Sequence, residues 1–428
     1  MSGTGRSPRS GVIGLLTALA ATALLTPADA GAESIFAREG LGEWLEPYDL
    51  RAQGMGGVAI GVADSFPHSQ HNPAAYAFAR RATGYVSLYP ESRWIRPPAG
   101  AARCPDAAGC PTGDDAVRQN SGRLGAVHGV IFLNPSLGLS FGLRQIHDPR
   151  YQITNVVEVE DDVSAVRREE GSGGVMAYAL GLALKVRRGT AFGFEVSHIS
   201  GSMRDLVTYD FPRTSPYTDT RDEIKTRIRN GWRISVGGLW RTGRLSVGSF
   251  YATPAAADGR RIWRNTLGLQ ESEDFDPELP ASAGAGAAWD FGDRWRAGTD
   301  IVWRGWSQAD FPGRSGPDPE YSDTWRVGFG VERIGWVNPR ARFGEGISWR
   351  AGFSHTPWYI EDAAGNRLRE IAISAGMGLP VAKDRGRLDL LVRLGRRSIP
   401  VEGSRDRPDE IFLQFGLGLT YGSMARGY

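Results

Sequence analysis

The sequence predicts an all-β protein, a transmembrane antiparallel β-barrel of about fourteen strands. Three observations carry that prediction. After residue 82 the links between strand-like segments alternate between tight turns and long loops. A barrel crossing a membrane requires this rhythm, because one rim sits over a confined space while the other faces outside. Within the strands, large apolar side chains recur at period two against small or polar ones, as a wall between lipid and lumen demands. Third, tryptophans fall into two bands.

The first thirty residues read as a secretory signal. Arg6 and Arg9 supply its positive end, 12–25 its apolar stretch, and Ala28-Asp29-Ala30 a small-x-small cleavage site. No apolar run reaches the roughly 18 residues that a transmembrane helix needs. A membrane location therefore demands a closed barrel, the other structure that pairs every backbone group. The mean hydropathy of −0.31 is compatible with this, since alternation hides apolar content. Glycine, at 57 of 428 residues, is nearly twice the usual ~7%. Arginine is spread along the chain at a net charge of +2, with no basic stripe for nucleic acid.

Strands are predicted near 83–90, 122–133, 136–147, 175–186, 191–203, 224–240, 245–261, 280–291, 294–306, 323–334, 346–356, 368–380, 386–397 and 410–422. Every second link is long: 91–121, 148–174, 204–223, 262–279, 307–322, 357–367 and 398–409. In the last strand Ile411, Leu413, Phe415, Leu417, Leu419 and Tyr421 share one face, against Gln414, Gly416, Gly418 and Thr420. With short turns placed on the periplasmic side, Trp240, Trp295 and Trp349 fall on outward parity near the inner rim. Trp303 and Trp325 do so near the outer rim, giving the two aromatic girdles expected at membrane interfaces. Arg227, Arg229, Arg233, Arg296, Asp300, Arg304, Arg326, Glu332, Arg350, Asp389 and Arg393 take inward parity. An arginine at the lipid midplane would cost ~2–4 kcal/mol.

Before the barrel, residues 31–82 carry Gly54, Gly56 and Gly57 around Met55, then Asp64 and Asn72-Pro73-Ala74-Ala75. A dinucleotide reading fails, because no strand–helix–acid framework surrounds the glycines. This segment, the barrel after it, Glu278-Leu-Pro-Ala-Ser282, Trp303-Arg-Gly-Trp-Ser307 and Glu410-Ile-Phe412 together resemble the long-chain fatty acid transporter family of outer membranes, the FadL-like group. Gly54-Met-Gly-Gly57 with Asp64 is also similar to the barrel branch associated with type IX secretion.

The resemblance implies a signal peptide (1–30), an N-terminal hatch plugging the lumen (31–82) and a transmembrane barrel (83–428) in a Gram-negative-type outer membrane. It implies diffusion of fatty-acid-like or aromatic molecules past a hatch, with sideways exit at the third strand. The alternative is a scaffold for protein secretion or interaction. Implied partners are outer-membrane lipid, a hydrophobic ligand and the barrel assembly machinery. Gly54, Gly56, Gly57, Asn72, Pro73 and Ala74 mark the hatch, and the small inward residues Gly138 and Gly142 mark the gate.

Two loops are rich in apolar residues: Leu206, Tyr209 and Phe211 in one, Trp263, Leu267 and Leu269 in the other. They fit ligand capture, or mutual packing above the membrane. Phe250 and Trp306 break the small-inward rule and fit either an apolar path or packing on the hatch. Arg304, Arg326 and Arg350 fit carboxylate recognition, or a wall network of charges. Cys104 and Cys110 share one loop, and after export could close a disulfide stabilising it by roughly 2 kcal/mol. His68-x-x-His71 lacks further ligands for zinc, and no nucleophile–base set is visible. No enzyme, cofactor or metal is expected. Tyr428 is available as a terminal assembly aromatic, at parity opposite to Tyr421.

Overall fold

The computed structural model describes residues 34–79, 81–96, 117–160, 163–312, 319–336, 343–361, 365–381, 385–399 and 409–422. Cys104, Cys110 and Tyr428 lie outside them, as does the predicted signal. Among the described residues no helix is long and apolar enough to cross a membrane; strands make the crossing.

Fourteen wall strands close into a ring. They are β1 (Thr83–Arg96), β2 (Val117–Asn134), β3 (Leu137–Asp148), β4 (Val163–Arg187), β5 (Thr190–Asp210), β6 (Thr220–Thr242), β7 (Leu245–Ala252), β8 (Ser282–Phe291), β9 (Trp295–Arg304), β10 (Thr324–Arg333), β11 (Ser348–Glu361), β12 (Arg367–Val381), β13 (Gly386–Ser398) and β14 (Asp409–Gly422). Each pairs antiparallel with its sequence neighbour, and β14 pairs with β1 from Thr83↔Gly422 to Arg96↔Asp409, so no wall edge is left open. The periplasmic links are short except between β10 and β11, where 334–347 intervene and the expected tight turn is not found. At β2–β3 the Asn134 carboxamide accepts from the Ser136 and Leu137 N–H groups, both at 2.9 Å. Gly243, in the β6–β7 turn, has a φ of 53°, a conformation that glycine adopts without penalty.

The outward faces are apolar. Across β4, β5 and β6, Leu180, Val196 and Ile234 form one row, and Leu182, Phe194 and Val236 the next. Leu180 is 69% exposed, as a side chain facing lipid should be. Trp240, Trp289, Trp295 and Trp349 are exposed near the short-turn rim, and Trp325 pairs with Trp303 toward the other rim.

Two expectations are corrected. Strands continue through stretches read as loops. Tyr151–Glu160 pairs with β4, β5 runs on to Asp210, and Asp258–Arg264 pairs with both β6 and Gln270–Phe275. Above the membrane both sheet faces meet water or protein, so pairing persists after the lipid-facing alternation stops. Arg227 and Arg229, expected inward, lie on the outward face. A bulge between Ile199↔Gly231 and Gly201↔Ile228 inserts Asn230, whose φ is 56°. One extra residue reverses parity, so Thr226 and Ile228 are buried instead.

Residues 34–79 occupy the lumen. A short helix α1 (Leu50–Gly54) is capped by the Asp49 carboxylate, which accepts from Ala52 N at 2.8 Å. A 3₁₀ segment (Pro73–Phe78) is capped by Asn72, whose Oδ1 accepts from Ala74 N at 3.0 Å. Between them, the segment lies against wall backbone. A Cβ added at Gly352 would stand 2.0 Å from Gly56 N, and one at Gly328 would stand 2.3 Å from Gly56 O. Gly56 and Gly57 themselves have φ of 68° and 84°. Wall and plug are both reduced to glycine so that two backbones can touch.

Candidate functional site

The lumenal site is built where buried hatch charges meet buried wall charges. Arg51 of α1 donates to Glu332 of β10 at 2.5 Å and lies 3.3 Å from Asp64 of the hatch. Glu332 accepts from Arg350 of β11 at 2.8 Å, and Arg350 donates to Asp389 of β13 at 2.6 Å. Asp389 accepts from Arg387 at 2.7 Å, and Arg387 returns to Asp64 at 3.3 Å. Six charges alternate around a closed ring, two from the hatch and four from the wall. Burial raises the Asp64 carboxyl, but Arg51 and Arg387 overcome it and hold the group well below the usual carboxylate range.

Toward the open end, Glu46 accepts from Arg304 at 2.6 Å, with His71 Nε2 at 3.3 Å and Arg326 Nε at 3.8 Å. Desolvation acts upward on Glu46, yet Arg304 and its companions keep it ionised far below its ordinary pKa. Arg326 also donates to Tyr48 Oη at 2.8 Å and to Gly56 O at 2.6 Å. A third group centres on Glu43, which takes Arg93 at 2.9 Å and is also bound by Arg397. Glu410 accepts from both of these arginines. Backbone contacts supplement the ion pairs: Asp300 of β9 accepts from Ala59 N and Ile60 N at 2.7 and 2.8 Å. Asn72 Nδ2 donates to Ile60 O and to Gly238 O of β6.

Between hatch and wall lies a cleft that is partly open to solvent. One side is aromatic: Trp44, Trp306, Trp358 and Tyr359, with Trp306 stacked on Tyr359 at 4.0 Å and edge-on to Trp44 at 5.7 Å. Arg304 and Arg326 line the cleft too, Arg304 lying 5.0 Å from the Trp44 ring centroid, together with Glu43, Glu46 and Glu370. The arrangement sets an aromatic surface beside charges that are already paired, so an acidic guest would have to displace Glu46 from Arg304.

The residues singled out in the sequence separate. Arg304, Arg326 and Arg350 are buried in the lumen, each already on a carboxylate or a hatch carbonyl. Phe250 packs on Ile60 and Val302, with its ring 5.4 Å from His71. Trp306 lies just beyond β9, in a 3₁₀ turn, and lines the cavity. A Cβ at Gly142 would lie nearest Gln70 and His128, whereas one at Gly138 would lie nearest Phe132 and the Ile131 carbonyl. The third strand pairs with β2 and β4 throughout 137–144, bulges lying only at its ends. The loop residues do not form one patch. Tyr209 shares the parity of buried Asp205 and Leu206 the opposite one, while Trp263 shares the parity of buried Arg261. Leu267 and Leu269 stand exposed at a hairpin tip, and Phe211 contacts Tyr217 at 5.3 Å.

Sequence reasoning missed Glu43, Glu46 and Arg51. Their signal was available, since charged residues in a glycine-rich segment destined for a lumen need opposite charges on the wall. His68 and His71 are buried apart from any metal set. His68 Nδ1 meets His128 Nδ1 at 2.9 Å, and among the described residues no three metal-binding side chains converge.

Closed ring, lipid-facing exterior and occupied lumen define an outer-membrane β-barrel with the architecture of the FadL-type channels. The chain belongs to the BamG family, whose model matches residues 12–243 and 249–421. No curated relative matches it. A Pseudomonas aeruginosa FadL homologue superposes with a TM-score of 0.58 at 14% identity, over 90% of this chain and 99% of that one. The Ralstonia pickettii toluene transporter TbuX gives 0.55 at 12%, over 88% and 99%, and the Pseudomonas putida toluene transporter TodX 0.54 at 15%, over 88% and 98%. At these identities the likeness is one of fold.

Proposed function

We propose that the barrel admits hydrophobic small molecules, fatty-acid-like or monoaromatic, with the hatch as its gate. The cavity carries this reading: its aromatic lining offers an apolar body a surface, beside Arg304 and Arg326, which an acidic head would take over from Glu46. The architecture shared with toluene transporters supports the aromatic end of the range. Passage inward requires the hatch to leave its ring of charges. Sideways exit requires the β3 ladder to part between 137 and 144.

A second reading, a fixed scaffold for protein assembly or secretion, is favoured by how tightly the hatch is held. Buried ion pairs and backbone-to-backbone seats make opening expensive. The family name supports association with barrel-assembly components. Labelled fatty acid and toluene uptake in a transporter-deficient host separates the two readings. The first expects uptake by the wild type, increased by Glu46→Gln, which loosens the hatch. Uptake at the host background by both forms, with co-purification of assembly proteins, would establish the second. Gly142→Trp, which points a ring at Gln70 and His128, tests the exit route: normal uptake would remove β3 from the path.

A further inference from the structure

The bulge in β6 creates a cationic face that neither reading of the lumen uses. Asn230 is the one non-glycine residue with positive φ among the described residues, and such strain in a strand is held in place for a reason. Its effect is to turn Arg229, Arg227 and Lys225 outward, above Trp232. Trp232 lies in a row with His198 and Tyr178, the rings 4.9 and 6.2 Å apart in succession. Below that row run the lipid-facing residues Leu180, Val196 and Ile234. Trp240, at the opposite rim, is eight residues away from Trp232. That is about 26 Å along the strand and roughly 20 Å of height at barrel tilt. Trp232 therefore marks the outer interface, and Arg229 stands immediately above it.

The charges on the paired elements are already engaged. On β5, Arg204 is occupied by Glu223 at 2.5 Å. On Asp258–Arg264, Arg260 lies opposite Arg227 and is 3.5 Å from Asp274. Asp258 sits opposite Arg229, but its carboxylate accepts from Asn230 Nδ2 at 2.5 Å. The inserted residue thus binds the acid that lies opposite Arg229, and the acid and Arg229 do not form an ion pair. Arg227 and Arg229 form no ion pair among the described residues.

We propose that this face binds the phosphorylated headgroup of an outer-leaflet lipid, with Arg227 and Arg229 on phosphate and the acyl chains on the Leu180–Ile234 surface below the aromatic row. Charge complementarity and continuity with the lipid-facing wall both select a lipid over a free anion. Each cation near an anionic membrane surface contributes about fivefold in affinity, so the pair contributes roughly 25-fold.

Native mass spectrometry of the detergent-solubilised full chain tests this with two probes, a bisphosphorylated diglucosamine lipid and the same lipid without phosphates. The wild type should retain the phosphorylated form at least tenfold better. Arg227→Ala/Arg229→Ala should lose that preference while keeping heat-modifiable gel mobility, and Arg187→Ala, at the periplasmic turn, should not. Asn230→Gly keeps the backbone accessible but frees Asp258 for Arg229, so it should weaken binding and covers the case of a double variant that fails to fold. Equal retention of both lipids, an unaffected double variant, or full displacement by millimolar inorganic phosphate would each overturn the proposal.

Discussion

Replacing Glu46 by Gln should loosen the hatch without opening the barrel wall. Glu46 is the acid that faces Arg304 and Arg326 together, and its side chain is 17% exposed. Removing one member of a buried pair costs about 3–5 kcal/mol, because the remaining charge is stranded. Partial exposure and the other partners of Arg326 place this case near the lower end, about 3 kcal/mol. Every 1.4 kcal/mol is tenfold in an equilibrium constant, so the open hatch should become roughly 100-fold more populated. Hydrogen exchange reads this directly: amides of Gln53, Met55, Gly56 and Gly57 should lose about two decades of protection while β4–β6 amides keep theirs. Adding Arg304→Met should restore much of the loss, since an apolar substitute strands no charge. Hatch protection within threefold of wild type in Glu46→Gln would refute the view that these ion pairs hold the plug.

Three further outcomes follow from the geometry. Gly352→Ala places a methyl 2.0 Å from Gly56 N; overpacking of about 1–3 kcal/mol should expose the hatch to added protease. Burial pushes His71 down to about 4 despite Glu46 beside it. Its folded pKa lies below the unfolded value of about 6.5, so the unfolded chain binds more protons between these limits and stability falls as pH drops through that window. The loss approaches about 3 kcal/mol near pH 4, and His71→Gln should flatten a urea-unfolding series between pH 7 and 4 by that amount. Leu180→Arg, on the lipid face, should destabilise the barrel by ~2–4 kcal/mol in bilayers, and an unchanged midpoint would place that face away from lipid.

The lipid made much of this fold legible. A bilayer enforces period two over about ten residues per strand, so the parity of Leu180, Ile371 and Phe415 could be read without neighbours. Where that constraint ends, so did the reading: 151–160 and 204–210 pair as strands under mixed polar sequence that alternation does not mark. The bulge escaped for a different reason. Asn230-Gly231 is a turn-like dipeptide within an apparent strand, and it was the local sign that parity changes at Arg229. At the site, the glycines of the hatch could be recognised because close approach leaves few residue choices. Which charge each of Arg304 and Arg350 meets could not, because ion pairs between residues 18 to 258 positions apart leave no periodic trace.

The stripping of the inner wall to glycine beneath the hatch limits what mutation can do there. Gly56 rests on Gly328 and Gly352 backbone to backbone, so one methyl group on either wall strand would occupy the space the plug fills. Drift toward alanine, harmless on most sheet faces, would here act as a wedge beneath the seated segment.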